Sequence, residues 1–254
     1  MCTVTALPRS LLSHNVAATP LLLRVVHNRD EQLTRPAGLP PAALQVGARR
    51  AVMPIDPQSG GTWIAVNDAG LVFAILNAYP KVSNATCTWA AGSRRSPAVS
   101  RGAIIPALLE SATVSDALVR AQRLQAKSFA PFRLLVFDRF QLAECWPHGD
   151  RIRQQRSAIS AAVMRTSSGL GDAVVAGPRR ALFDHFLSHP DDARGAQDRF
   201  HQHRWIEREA VSVNMRRGDA RTVSHTVVEV GCESVSMSYR AADSPQPVVV
   251  RVAA

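Results

Sequence analysis

Apolar residues in this chain gather in short runs bounded by turn residues, and that pattern predicts antiparallel hairpins with helices inserted between them. Thr3, Val4 and Thr5 favour extended backbone at the start. Residues 21–26 read as a second strand, apolar enough to be buried on both faces, and a loop carrying Pro8, Ser10 and Pro20 joins the two. Residues 34–45 are rich in Pro and Gly and read as a loop. Residues 50–55 read as a short strand, and 62–66 and 71–76 as strands joined by the hairpin turn Asn67-Asp68-Ala69-Gly70. Residues 82–101 are small and polar, as in an exposed loop. A helix is expected over 103–110, with Pro106 in its first turn, and Ser115-Asp116 caps a second one with the stripe Ala117, Leu118, Ala121, Leu124. Residues 132–137 and 142–146 alternate as a hairpin around Asp138-Arg139. Further strands are expected at 158–164, 211–215, 222–230, 235–239 and 248–252, and helices at 179–188 and 193–203. The whole predicts two packed sheets flanked by helices, in a single domain over 1–254.

Composition narrows the classes. The chain has 254 residues, 46% of them hydrophobic, and no run reaches the ~18 apolar residues that span a bilayer. Leu21-Leu22-Leu23 is interrupted by Arg24, and no basic segment precedes a long apolar core, so the expectation is a cytoplasmic protein without a signal peptide. Cys2, Cys87, Cys145 and Cys232 are widely spaced, which argues against a disulfide framework or a zinc knuckle and suits a reducing compartment. The formal charge is +10. Lys81 and Lys127 are the only lysines, so nearly all of the positive charge is arginine, scattered in short pairs such as Arg49-Arg50 and Arg216-Arg217. With aromatics at 6% and no stacking platform, no specific nucleic-acid partner is expected. The arginines read as a solvated surface, with attraction to anionic small molecules as the alternative.

The first candidate chemistry is Cys2. If Met1 is lost, one residue carries a thiol and a free α-amine, which titrates at roughly 7.7–8.0 and can act as base to its own sulfur. The residue-level alternative is a small buried cysteine at an ordinary terminus. The strand starting at Cys2 would hold the amine at a sheet edge, and this chemistry calls for a low thiol pKa. The cluster His27-Asn28-Arg29-Asp30-Glu31 at the end of an apolar strand is a second site candidate, its alternative a cap or turn with local pairing. His201-Gln202-His203 places two imidazoles two residues apart, which on a helix do not share a face, so these read as surface histidines and no metal site is expected. His225 is either a site residue or a satisfied strand histidine. Cys87, Cys145 and Cys232 default to buried thiols, and Trp63 to a core anchor.

Four segments together resemble the NRDE family, also called the transport and Golgi organisation 2 family. They are Met1-Cys2-Thr3, Asn28-Arg29-Asp30-Glu31 with Arg35-Pro36, Gly60-Gly61-Thr62-Trp63 running through the Asn67 hairpin to Leu76-Asn77, and Asp219 to Thr226. Ser100-Arg101-Gly102 and Pro131-Phe132-Arg133-Leu134 match as well. That family is distantly similar to cysteine N-terminal nucleophile (Ntn) hydrolases. The resemblance implies an α+β fold, a four-layer αββα sandwich of two mostly antiparallel sheets. It implies a cysteine amidohydrolase acting on a C–N amide bond, with Cys2 as nucleophile, Asp30 orienting the α-amine and Asn77 in the oxyanion hole. Asn28, Arg29, Arg221 and His225 are the substrate-binding candidates. No cofactor is required. The alternative it implies is a non-catalytic carrier on the same scaffold, with haem or an acyl-CoA or lipid-like molecule as carried ligand and a role in haem trafficking. Two departures from the hydrolase pattern stand out. His27 occupies the position of a hydrolase arginine, and Thr166 the position of a second asparagine that supplies an amide donor.

Overall fold

A computed structural model describes residues 2–12, 20–79, 99–188 and 190–254. Cys87 and most of the loop expected at 82–101 lie outside them. Thirteen strands are described, in two antiparallel sheets. The seven-stranded sheet is a meander in chain order: β3 (Leu39–Val46), β4 (Arg49–Ile55), β5 (Ile64–Asn67), β6 (Val72–Asn77), β7 (Phe132–Phe137), β8 (Gln141–His148) and β9 (Arg151–Ala158). The six-stranded sheet is assembled from distant parts of the chain. Its strands are β1 (Cys2–Pro8), β2 (Leu21–Gln32), β10 (Val163–Ser167), β11 (Ala220–Gly231), β12 (Ser234–Ala241) and β13 (Val248–Ala253), in the order β10-β1-β2-β11-β12-β13.

The two sheets stack face to face on one apolar interior that includes Val4, Val25, Phe73, Leu76, Phe137, Val228 and Met237. The outer face of the six-stranded sheet carries α2 (Asp172–Leu187) and α3 (Ala193–Gln202), packed through Leu7, Met164, Phe183 and Phe200. On the other outer face α1 (Val114–Ala121) lies against β7 and β8. The layering is αββα, with the fourth layer reduced to one eight-residue α-helix and short 3-10 turns.

Several expectations require correction, each for a physical reason. Residues 39–46 form a strand despite Pro40 and Pro41, because β3 is the edge of its sheet and an edge strand has unpaired backbone positions where a proline costs no ladder bond. The second strand does not stop at 26 but runs to Gln32, so the polar cluster 27–31 is strand rather than cap or turn. The helix expected at 103–110 is two 3-10 turns, Arg101–Ala103 and Pro106–Leu108. The carbonyls of Leu109, inside that expected helix, and of Ser111, just beyond it, accept hydrogen bonds from Asn67 Nδ2. Thr113, not Ser115-Asp116, caps α1, in a capping box with Asp116. The single strand expected at 158–164 is a passage between sheets: β9 ends at Ala158 in one and β10 begins at Val163 in the other. Residues 211–215 form no strand either. The Val211 and Ser212 carbonyls accept from Arg179, and that of Val213 accepts from Asn28.

Candidate active site

The side chain of Cys2 is placed by the first strand of the chain. β1 lies inside its sheet, between β10 and β2, with Cys2 opposite Ser167 on one side and Arg29 on the other. The expected sheet-edge position is therefore corrected: Cys2 sits at the end of an interior strand whose seven residues are all buried. Alternation sends Cys2 and Val4 to the interior between the sheets, and Thr3, Thr5 and Leu7 to the helix layer. In the chain bearing Met1, burial pushes the Cys2 thiol up, and the nearby Asp30 charge adds to the shift. The low thiol pKa expected from sequence belongs to the chain that has lost Met1.

A cavity of about 140 Å³ opens at this point, and Cys2, Asp30 and Asn77 all line it. β6 packs close to β1 across the sheet interface, which brings its last residue, Asn77, to the cavity. Asn77 Nδ2 donates to the Tyr79 hydroxyl at 3.2 Å, leaving its second N–H for a ligand. The Asp30 main-chain amide hydrogen-bonds the Cys2 sulfur. Asp30 itself is buried; Thr222 Oγ1 donates to its Oδ1 at 2.6 Å. Burial raises the Asp30 carboxyl pKa, and the positive charge of Arg179 opposes that rise.

Arg179 is a residue that sequence reading left inside a helix without a role. It is fully buried on the inner face of α2. Its guanidinium donates to Thr3 Oγ1 (2.8 Å), Thr166 Oγ1 (2.6 Å) and the carbonyls of Ser212 (2.6 Å) and Val211 (3.0 Å). Thr166 also donates to the Cys2 carbonyl at 3.3 Å. It is thus committed beneath the strand and is not among the residues lining the cavity, so no second amide-type donor comes from this position. Only a buried arginine with an incompatible helix surface would have signalled Arg179 in sequence, and Pro178 beside it obscures that pattern.

Arg29 also lines the cavity, with its guanidinium 3.9 Å from the centre of the Trp63 ring and within 3.5 Å of Glu31 and 3.9 Å of Asp56. Arg35 pairs with Asp56. Burial alone would raise the Asp56 pKa, but the Arg35 and Ser59 hydrogen bonds hold it below the usual carboxylate range. Arg101 completes the wall, donating to the Pro131 carbonyl at 3.0 Å. Its loop reaches the cavity because Gly61 has no side chain: a Cβ there would stand 2.3 Å from the Gly102 carbonyl carbon. Three arginines (29, 35, 101) and three carboxyl-bearing residues (30, 31, 56) therefore share the cavity lining.

The remaining candidates go elsewhere. Asn28 points to the opposite face of β2, where Nδ2 donates to the carbonyls of His201 (2.8 Å) and Val213 (3.0 Å). Arg221 and His225 line a separate, larger cavity together with Asn28, and Arg221 pairs with Asp243. His201 is not a surface residue. It is buried on the inner face of α3, between Thr5 Oγ1 (2.7 Å) and Asn28 Oδ1 (3.0 Å). Because Asn28 Oδ1 can only accept, His201 carries its proton on Nδ1 and accepts from Thr5 at Nε2. Cys145 is buried, its thiol pushed up to about 12 by desolvation, whereas Cys232 is exposed, contrary to the buried-thiol default. No group of three or more metal-type ligands occurs among the described residues. No described helix is long and apolar enough to cross a membrane.

Comparison with known proteins bears on the family and the fold. A family profile described as Transport and Golgi organisation 2 matches residues 11–193. No curated protein matches the sequence. Among solved structures, two variants of the conjugated bile acid hydrolase from Clostridium perfringens are similar. One has TM-score 0.54 at 12% identity, with 98% of this chain and 92% of that chain covered. The other has TM-score 0.53 at 12% identity, with 100% and 96% covered. The Caenorhabditis elegans orthologue of N-acylethanolamine-hydrolyzing acid amidase matches with TM-score 0.51 at 11% identity, over 89% of this chain and 92% of that one. At such identities the likeness defines the fold, which is that of the Ntn hydrolases.

Proposed function

The chain belongs to the Transport and Golgi organisation 2 family and has an Ntn-hydrolase fold, and from that premise we propose that it is a cysteine amidohydrolase cleaving a C–N amide bond. One observation carries the reading: Cys2, Asp30 and Asn77, far apart in the chain, line one cavity. The similar solved structures include a conjugated bile acid hydrolase and an N-acylethanolamine-hydrolyzing acid amidase, the second an amidase by name.

Loss of Met1 sets up the reaction by placing an α-amine on Cys2. The amine takes the thiol proton, and Sγ attacks the amide carbonyl carbon. An N–H of Asn77 faces the developing oxyanion. Collapse of the tetrahedral intermediate breaks the C–N bond, and the α-ammonium gives its proton to the departing amine. The acyl group remains as a thioester until water, deprotonated by the same amine, releases the acid. Asp30, held by Thr222, favours the ammonium form and fixes its position. In the Met1-bearing chain burial raises the Cys2 thiol pKa, and removal of Met1 supplies the α-amine that takes its proton in this scheme.

Intact-mass spectrometry of protein incubated with an acyl-amide panel tests this. The expected result is a chain lacking Met1 that gains one acyl adduct, lost in Cys2→Ala. Asn77→Ala is expected to lower kcat by about 10²–10³. A processed chain in which Cys2 neither acylates nor reacts with iodoacetamide sinks the hydrolase reading and leaves the carrier alternative.

A further inference from the structure

The outer face of the six-stranded sheet holds a second cavity, of about 400 Å³, between β11 and β12 and the segment that follows α3. Its charge is unlike that of the Cys2 cavity. Arg204, Arg216, Arg221 and Arg240 line it, and no aspartate or glutamate does. Arg221 is paired with Asp243, and Arg204 is 3.9 Å from Glu209 and bonded to Asn214. Arg216 and Arg240 are exposed and have no ion-pair partner among the described residues. The floor is neutral: His201 and Asn28 are saturated by their mutual bond and their partners. His225 Nε2, by contrast, is buried without a hydrogen-bond partner, which leaves it for an ester oxygen or hydroxyl of a ligand.

Arg216 and Arg240 have no carboxylate beside them to offset their mutual repulsion, and a bound anion between them reverses the sign of that interaction. Their planar donor forks match the tetrahedral oxygens of phosphate better than a single carboxylate, which would satisfy only one fork. No phenyl, phenol or indole ring lines the cavity, so it has no platform on which nucleobases would stack. A concave rather than strip-like basic surface also favours a compact ligand over a polymer. We propose that this cavity binds a small molecule through a phosphate or diphosphate group, at a site distinct from the Cys2 cavity.

Titration calorimetry with inorganic pyrophosphate on the full chain tests the proposal. Wild type is expected to bind one equivalent, and the double variant Arg216→Gln/Arg240→Gln to lose about tenfold or more in affinity. These two side chains hold no part of the fold together, so the variant is expected to melt with the wild type. A control with the same charge change on the far edge strand, Arg151→Gln/Arg153→Gln, is expected to bind as wild type does. Absence of saturable binding by wild type, or equal weakening in both variants, overturns the proposal. So does a single-stranded oligonucleotide that binds through Arg216 and Arg240 more tightly than pyrophosphate. Cys2 acylation is a separate readout, so failure here and failure of the hydrolase reading are distinguishable.

Discussion

Arg179→Met is the most informative single change to this fold. The methionine fills most of the arginine volume, so the effect comes from charge and hydrogen bonding rather than from a void. It removes the donor to the Val211 and Ser212 carbonyls and to the Thr3 and Thr166 hydroxyls, and the cation that opposes the raised pKa of Asp30. Breaking a buried charge system from one side typically costs about 3–5 kcal/mol, and each buried carbonyl left unpaired about 1–3 kcal/mol. The two threonines can still bond each other at 3.1 Å, so the loss comes from the charge and the two carbonyls, and about 3–5 kcal/mol in urea unfolding is expected.

The pH dependence separates charge from packing. The folded-state pKa of Asp30 lies above its unfolded value, so the folded chain binds the extra proton. Stability from this group is full at low pH and declines as pH rises through the folded pKa, by at most about 1.4 kcal/mol per pH unit. Without Arg179 that decline extends to higher pH, so in urea unfolding measured between pH 5 and 8 the deficit against wild type is expected to widen as pH rises. Adding Asp30→Asn is expected to recover part of the loss at pH 8 and little at pH 5, a coupling measured by a double-mutant cycle. A loss below about 1 kcal/mol, or a deficit that is flat with pH and indifferent to Asp30→Asn, would show that Arg179 is not neutralising Asp30.

His27 and Gly61 provide two further tests. His27 is fully buried between the sheets, neither ring nitrogen has a hydrogen-bond partner among the described residues, and burial lowers its pKa to about 3. A histidine depressed in this way stabilises the fold above the unfolded pKa near 6.5 and loses that contribution as pH falls towards the folded value. His27→Leu is therefore expected to flatten the acid limb of a urea-midpoint profile between pH 7 and 5 by up to about 1.4 kcal/mol per pH unit. A parallel acid limb in both proteins refutes the assignment. Gly61→Ala drives a methyl group into the Gly102 backbone, so a destabilisation of about 1–3 kcal/mol is expected. Iodoacetamide labelling of Cys2 should change with it, because Arg101 moves off the cavity wall; unchanged labelling and stability would show the contact to be slack.

How much of this was legible in the sequence depended on whether a residue's environment was set by its neighbours in the chain. Local periodicity and turn chemistry placed β6, β7, the Asn67 hairpin and α3 to within a residue or two, because the preferences involved are local. Residue chemistry raised Cys2 and the cluster 27–31, and the resemblance in residues 1–3, 28–36, 60–77 and 219–226 added the αββα layering, Asn77 and the role of Asp30. β3 and β9 were missed because edge strands need not alternate, and a proline or a run of arginines is tolerated where no neighbour pairs. The strand expected at 211–215 failed because its carbonyls are satisfied by Arg179 and Asn28, side chains that no local pattern connects to it.

By itself the sequence determined many of the strands and helices and a set of candidate side chains. Only the tertiary structure decided which of them meet. Strand alternation turns Asn28 and Arg29, adjacent in the chain, to opposite faces of one sheet, so Arg29 joins Cys2 while Asn28 joins Arg221 and His225. Pairing of β2 with β11 and stacking of the two sheets set those positions. Both follow from long-range burial and hydrogen-bond closure, and a chain read in order contains neither.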